Sequence, residues 1–191
     1  MASEHHPSLP KWESLEEENV YHTRIFDLVK AIRREDETGR EGEFYSLHAG
    51  EWINVIAITV DAQLVFVEQF RHGTDMFELE LVGGIVDAGE SPHDASLREL
   101  LEETGYAPTE TSIIEEIGVV RPNPAFLNNN CYTYLVTDVA LTNTQHFDEF
   151  ENIAVRLEPL SEMDNLVRNG TITHSLVLAA FYWYHLWSKQ F

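Results

Sequence analysis

Three glutamates between residues 99 and 103 have the spacing of a shared helical face. Glu99, Glu102 and Glu103 stand at i, i+3 and i+4, so at roughly 100° per residue their carboxylates project from one side of a helix. Like charges at this spacing destabilise an isolated helix. A cation among them reverses that effect, and carboxylate oxygens are hard ligands that suit Mg²⁺ or Mn²⁺. The spacing therefore indicates a site for a divalent metal ion.

The residues around these glutamates predict a helix over residues 91–104. Ser91 and Asp94 match a capping box, and Pro92 takes the first helical position, where its missing N–H costs nothing. Gly105 suits the left-handed conformation that ends a helix. The side chains expected to form the buried stripe of this helix are Leu97, Leu100 and Leu101.

Length and composition favour one compact domain with an N-terminal extension or small subdomain, since the chain has 191 residues. The only cysteine, Cys131, forms no intrachain disulfide, which favours a reducing compartment. The first ten residues are polar and no apolar run approaches the roughly 20 residues of a membrane span, so we expect a cytoplasmic protein without membrane partners.

The formal net charge of −21 argues against binding to nucleic acid, because such binding requires basic patches. It also constrains any phosphorylated substrate. Such a ligand must be accompanied by bound metal or met by locally placed arginines.

Outside the glutamate helix the pattern is mainly that of β-strands. Residues 1–19 are acidic and predict an irregular solvated extension, or an arm that reaches a partner subunit. Residues 20–33 and 42–48 predict a β-hairpin around the turn at residues 36–39. Further strands are expected at 52–60, 63–70, 77–82, 113–120, 132–136 and 153–157, and further helices at 161–168 and 171–187.

The glutamate helix and the glycine-rich turn before it resemble the signature of the Nudix hydrolases. That signature reads Gly, five residues, Glu, seven residues, then Arg-Glu-apolar-any-Glu-Glu-any-Gly-apolar. The matching positions are Gly84, Glu90, Arg98, Glu99, Leu100, Glu102, Glu103, Gly105 and Tyr106. Tyr106 replaces the usual aliphatic residue, a departure that affects packing and leaves the chemistry intact.

Other segments resemble the ADP-ribose pyrophosphatase and nucleoside-diphosphate-sugar hydrolase subfamily. They are the strand at residues 67–72, the approach to the signature at 80–84, Pro122, and the acidic segment at 148–153. The loop at residues 126–130 carries neutral amides where ADP-ribose enzymes often have an acidic residue, which is compatible with nucleotide sugars more broadly.

The resemblance implies an α/β fold, a Nudix-type α/β/α sandwich of mixed sheet with an N-terminal β-hairpin subdomain. Residues 1–48 would be the extension and hairpin, which the dimeric members use for dimerisation, and residues 49–191 the Nudix domain. The implied partner is therefore a second copy in a homodimer. The implied reaction is Mg²⁺-dependent hydrolysis of ADP-ribose or a related nucleotide sugar to a nucleoside monophosphate and a sugar phosphate, with Mn²⁺ as a possible substitute.

The resemblance also implies roles for the residues of the signature. Glu99 and Glu103 would bind metal, helped by Glu102 and by the carbonyl of Gly83. Arg98 would tie the helix to the glycine-rich loop through Glu90, the alternative being a plain surface arginine.

The general base must lie outside a helix whose glutamates bind metal. Glu149 is the first candidate and Glu151 the second, the alternative being that both only solvate a loop. Arg71 is expected to contact phosphate or ribose, or to form a structural ion pair with Glu80 or Glu78. Glu80 is itself a candidate substrate contact. Asn128 and Asn130 would read sugar hydroxyls or make only turn hydrogen bonds.

The sequence is also compatible with two other functions. One is Nudix hydrolysis of another nucleotide, a nucleoside triphosphate or a dinucleoside polyphosphate. The other is a silent sensor that binds ADP-ribose without cleaving it, although the intact signature and the lack of residues for a DNA-binding module oppose that interpretation.

Overall fold

A computed structural model of the protein describes residues 9–142 and 152–189. The described strands are β1 (Trp12–His22), β2 (Phe26–Glu35), β3 (Glu41–Ala49), β4 (Trp52–Thr59), β5 (Gln63–Arg71), β6 (Met76–Ile85), β7 (Tyr106–Pro108), β8 (Ile114–Val120), β9 (Cys131–Leu141) and β10 (Ile153–Pro159). The helices are α1 (Pro92–Thr104), α2 (Met163–Arg168) and α3 (Ser175–Ser188), and a 3₁₀ turn, Leu160–Glu162, precedes α2. The described chain divides into two compact units.

The first unit contains the described residues up to Gly50 together with Asn123–Asn129. Its strands β1, β2 and β3 form an antiparallel three-stranded sheet in chain order. The segment at Asn123–Asn129 adds to this unit at Leu47, whose N–H donates to the carbonyl of Phe126 at 2.7 Å and whose carbonyl accepts from the N–H of Asn128 at 3.3 Å.

The second unit is built on a seven-stranded mixed sheet. The strand order is β10-β5-β6-β4-β9-β7, and β8 also pairs with β9. The β4–β9 pair is parallel, and the other pairs are antiparallel. A parallel pair requires a crossover between its strands, and α1 lies within the chain that makes it.

Each face of this sheet carries its own apolar core, because side chains alternate along every strand. On one face, Val65, Val67 and Val82 pack with Ala95 and Leu100 of α1. The buried side chains of the other face belong to the sheet, α2 and α3 and include Ile56, Phe66, Leu81, Leu166 and Phe181. Helices therefore cover both faces, and the predicted α/β/α sandwich of mixed sheet is confirmed.

The predicted N-terminal hairpin is present as β2 and β3, but its first strand, expected at 20–33, is interrupted at residues 23–25, and residues 20–22 belong to β1. The prediction for the segment before it is wrong, since residues 12–19 form a strand instead of an irregular extension. All eleven side chains of β1 are exposed, so its sequence lacks the alternation by which a half-buried strand is recognised.

Within residues 9–142 and 152–189, no helix has the length and apolar composition needed to cross a bilayer.

Candidate active site

Helix α1 has the ends that its sequence predicts. The backbone N–H of Asp94 donates to the Ser91 hydroxyl at 3.1 Å, and that hydroxyl donates to the Asp94 carboxylate at 2.8 Å. The bond from the Ser91 hydroxyl to the carboxylate, with a second from His93, holds the pKa of Asp94 below its usual value. At the other end, Gly105 has a φ of 74°, and its N–H closes the last turn onto the carbonyl of Leu101. The local sequence thus sets where the glutamate face begins and ends.

Arg98 is the centre of the charged groups on this helix. Its guanidinium donates twice to Glu90, at 3.0 and 2.9 Å, and also to Glu99 at 2.8 Å and Glu102 at 3.2 Å. A further bond at 3.2 Å reaches the carbonyl of Ile85. The predicted contact with Glu90 is therefore present, and Arg98 joins the helix to the end of β6 and to the loop that follows.

The pKa values of the Arg98–Glu90 pair shift in opposite directions. Hydrogen bonds from Arg98 hold the pKa of Glu90 below its usual value, and hydrogen bonds to Glu90 raise the pKa of Arg98. Both groups are therefore charged across the physiological range. The four glutamates around Arg98 and along α1 (Glu90, Glu99, Glu102 and Glu103) outnumber its single positive charge, which leaves the cluster strongly negative.

Glu103 occupies a different environment from the other glutamates of α1. It is only 4% exposed, and its carboxylate accepts the backbone N–H of Gly83 at 3.1 Å. The buried face of α1 differs accordingly from the predicted leucine stripe, since Leu100 is fully buried while Leu97 and Leu101 are half-buried. The buried stripe was predicted from hydrophobicity, whereas the hydrogen bond to β6 places a carboxylate on the inner side of the helix.

Gly84 provides the space in which the Glu99 side chain lies. A Cβ atom at position 84 would stand 2.9 Å from Cγ of Glu99 and closer still to its carboxylate. The glycine of the signature is thus required here for a close approach between β6 and α1, with no left-handed backbone involved.

The donor set fits a divalent cation by its chemistry. Glu99, Glu102 and Glu103 supply hard carboxylate oxygens within a cluster of net negative charge. Among residues 9–142 and 152–189, no three His, Cys, Asp or Glu side chains are arranged as a metal-binding group. Two of the carboxylates, those of Glu99 and Glu102, are instead directed to Arg98. Their role as metal ligands remains a prediction.

Arg71 and Glu80 pair across strands β5 and β6. The Arg71 guanidinium donates to both carboxylate oxygens of Glu80, at 2.6 and 2.8 Å. The Glu80 side chain is 5% exposed and that of Arg71 is 45% exposed. Glu80 alternates with Leu79 and Leu81 and therefore lies on the α1 face of the sheet, as Val82 does. The structure therefore contains the structural ion pair that is the second of the two expectations for Arg71. The pairing leaves the Arg71 guanidinium partly open to solvent.

The asparagines predicted to read sugar hydroxyls both make hydrogen bonds to residues at the end of β3 or just after it. The Asn128 side-chain oxygen accepts the N–H of Ala49 at 3.1 Å. The Asn130 backbone N–H donates to the Glu51 carboxylate at 2.8 Å. Each therefore ties the 123–130 loop to the segment around residues 49–51, and a role in substrate recognition remains a prediction.

The two candidates for the general base, Glu149 and Glu151, lie outside the described residues. Their assignment stays a prediction from the sequence.

A cavity of about 480 Å³ lies away from these groups, lined by Glu68, Phe77 and residues 152–154. Glu68 pairs with Leu79, whose side chain belongs to the α3-side core, so Glu68 lies on the face of the sheet opposite Glu80. The sequence does not predict that these residues share a cavity, because their proximity depends on the β5–β6 and β5–β10 registers.

The NUDIX domain family model matches residues 50–181 of this chain. The chain belongs to the Nudix family, and the prediction of a Nudix hydrolase is confirmed. Members of this family generally use divalent metal ions.

Individual relatives are similar over most of the chain. The ADP-ribose pyrophosphatase of Bacillus subtilis (strain 168) is 25% identical over 161 residues, which are 83% of this chain and 84% of the relative. The ADP compounds hydrolase NudE of Escherichia coli (strain K12) is 24% identical over 184 residues, 95% of this chain and 96% of the relative. The ADP-sugar pyrophosphatase of Mus musculus is 30% identical over 163 residues, 83% of this chain and 66% of the relative.

A solved structure has the same fold over nearly its whole length. The crystal structure of an ADP compounds hydrolase superposes with a TM-score of 0.83 at 23% sequence identity, covering 96% of this chain and 97% of that one. This likeness includes the N-terminal sheet as well as the Nudix domain, so the fold of both units has a precedent.

Proposed function

We propose that the protein hydrolyses the diphosphate of ADP-ribose and related nucleoside-diphosphate sugars, giving a nucleoside monophosphate and a sugar phosphate. The observation that carries this proposal is the Nudix helix, with Glu99 and Glu102 gathered on Arg98 and Glu103 buried against Gly83. The names of relatives that act on ADP-ribose, ADP compounds and ADP-sugars support the choice of substrate.

The cofactor in this proposal is Mg²⁺, with Mn²⁺ able to replace it. Glu99, Glu102 and Glu103, with the carbonyl of Gly83, would hold the cation, which would supply positive charge next to the diphosphate oxygens and lower the pKa of a bound water. That positive charge would also allow a chain of net charge −21 to bind an anionic substrate.

The chain's own residues then have separate tasks. Arg98 keeps α1 in register with the loop through Glu90 and the carbonyl of Ile85. The N–H of Gly83 orients the Glu103 carboxylate. Glu149, with Glu151 as second candidate, accepts the proton of the attacking water.

Substrate contacts come from outside the Nudix helix. The half-exposed guanidinium of Arg71, held by Glu80, is directed to phosphate or ribose. Asn128 and Asn130 lie on the loop that follows Pro122 and are assigned to the sugar.

The functional form in this proposal is a cytoplasmic homodimer in which the N-terminal segment, residues 1–48, makes the subunit interface. Support comes from β1, where Trp12, Leu15, Val20 and Tyr21 are all exposed in the single chain. Exposed apolar side chains on an edge strand are characteristic of surfaces that another chain covers. Cys131, buried and without a disulfide, is compatible with the cytoplasm.

A substrate panel tests the proposed reaction. ADP-ribose, ADP-glucose, a nucleoside triphosphate and a dinucleoside polyphosphate are incubated with enzyme and Mg²⁺, and the products are separated by chromatography. Rapid turnover of ADP-ribose or ADP-glucose to AMP is expected. Turnover of triphosphates without turnover of nucleotide sugars would reject the substrate assignment while leaving the Nudix chemistry intact.

The metal assignment is tested by Glu103→Gln, with the exposed Glu110→Gln as the matched control. Glu103→Gln is expected to abolish turnover in Mg²⁺ while changing nucleotide binding much less, and Glu110→Gln to behave as wild type. Equal activity of both variants across a Mg²⁺ titration would contradict the assignment of Glu103 as a metal ligand.

The dimer assignment is tested by deleting residues 1–48 and measuring mass by light scattering and nucleotide affinity by calorimetry. Monomers with weakened affinity are expected. A deletion variant that remains an active dimer would exclude the N-terminal interface.

A further inference from the structure

Three buried polar atoms beside the N-terminal end of α3 lack hydrogen-bond partners. They are Oδ1 of Asn54, Oγ1 of Thr133 and Nδ1 of His174, and none has a partner among residues 9–142 and 152–189. Asn54 is 6% exposed and Thr133 is 1% exposed, so bulk water does not reach either side chain. Because buried polar groups in folded proteins are almost always hydrogen-bonded, these atoms point to a ligand.

The three residues belong to neighbouring elements on the α3 face of the sheet. Asn54 and Thr133 are direct neighbours in the parallel register of β4 and β9. Asn54 alternates with Ile53 and Val55, which pack on the α1 side, so its side chain points to the α3 side.

Helix α3 meets these strands at its first turn. The Asn54 amide donates to the carbonyl of Leu176 at 3.2 Å. His174 is the N-cap residue, two positions earlier, and its side chain does not cap the helix. Asn54 and Thr133 thus lie side by side where the sheet meets the first turn of α3, and His174 stands two positions before the residue that Asn54 contacts.

We propose that these three side chains form a binding site for one buried water molecule. A carboxamide oxygen accepts, a hydroxyl donates or accepts, and an imidazole nitrogen does either according to its tautomer. One water can therefore donate to Asn54 Oδ1, accept from Thr133 Oγ1–H, and exchange a third bond with His174 Nδ1. Three such bonds are typical of a buried structural water.

The three side chains favour a neutral ligand, because a buried ion would need a compensating charge and none of them is a carboxylate, a lysine or an arginine. The place of the site in the fold gives the water a structural task. Asn54 pairs with Gly83 across β4 and β6. The bound water therefore connects the start of α3 with the strand pair whose Gly83 N–H donates to Glu103.

A high-resolution crystal structure of the full-length protein tests the site directly. One ordered water is expected within hydrogen-bonding distance of Asn54 Oδ1, Thr133 Oγ1 and His174 Nδ1. Direct bonds from these atoms to other protein groups, without a water between them, would overturn the proposal.

The variant Thr133→Val gives an independent test through the sign of its effect. Valine has nearly the same shape and lacks the hydroxyl. If the hydroxyl binds water, the variant leaves that water with a lost partner, and the melting temperature falls by about 2–4 °C. If the hydroxyl is buried in a dry site, removing it relieves an unsatisfied group, and a raised melting temperature would reject the proposal.

Thr104→Val supplies the scale for this comparison. The Thr104 hydroxyl is equally buried and donates to the carbonyl of Leu100. Its loss lowers the melting temperature in either case, so a fall of similar size for Thr133→Val supports the water, and a rise contradicts it.

Discussion

Replacing Gly84 by alanine should impair catalysis with little loss of stability. The added Cβ would stand 2.9 Å from Cγ of Glu99, whereas ordinary contact begins at 3.4 Å. Cγ must therefore move by at least 3.4 − 2.9 = 0.5 Å, and the carboxylate, which is closer still to the new atom, must move further. The backbone at Gly84 is outside the left-handed region, so alanine adds no conformational strain.

The expected consequence is a change in the position of one proposed metal ligand. A displacement of about 1 Å in a catalytic group can cost on the order of 10²-fold in rate. We expect kcat for ADP-ribose to fall by about that factor and the Mg²⁺ concentration for half-maximal activity to rise. The displacement also breaks the 2.8 Å bond between Arg98 and Glu99.

The assay is steady-state hydrolysis at several Mg²⁺ concentrations, alongside thermal unfolding. Gly73→Ala is the matched control, because its Cβ meets nothing within 4 Å and its φ is also outside the left-handed region. Wild-type kcat and Mg²⁺ dependence in Gly84→Ala would refute the assignment of Glu99 as a metal ligand.

Three further changes test other groups. Arg71→Ala leaves the buried Glu80 carboxylate without this guanidinium and should destabilise the fold by about 2–4 kcal/mol. The loss is expected to be somewhat smaller than for a fully buried pair, because Arg71 is half-exposed. The same variant should also raise KM. Glu149→Gln should lower kcat by about 10²-fold at unchanged KM, measured by steady-state kinetics. The lowered pKa of Glu90 means that its bond to Arg98 stabilises the fold above the ordinary glutamate pKa of about 4.3. That stability is lost as the pH falls through the folded-state pKa, so wild type and Glu90→Gln should converge in urea stability in acid.

Each of these has a discriminating control. Adding Glu80→Gln to Arg71→Ala should recover part of the lost stability, and no recovery would show that the charge of Glu80 is not responsible. Unchanged kcat in Glu149→Gln would move the base to Glu151 or elsewhere. A constant stability difference between wild type and Glu90→Gln from pH 7 to pH 3 would exclude the ionised pair as its source.

The sequence by itself determined the Nudix helix and the class of reaction. Capping by Ser91, termination at Gly105 and the i, i+3, i+4 spacing of the glutamates are all local properties of a continuous segment. Local rules need no knowledge of the rest of the fold, which is why these boundaries agree with the structure. The alternation that predicted the hairpin of β2 and β3 is local in the same sense.

Tertiary structure alone decided which long-range partner each side chain meets. The pairing of Arg71 with Glu80 depends on the β5–β6 register, and the burial of Glu103 on its bond to Gly83, twenty positions earlier in the chain. The juxtaposition of Asn54 and Thr133 depends on a parallel pairing that leaves no local pattern in either strand. Register and helix docking arise from packing summed over the whole domain, so no short window of residues carries that information.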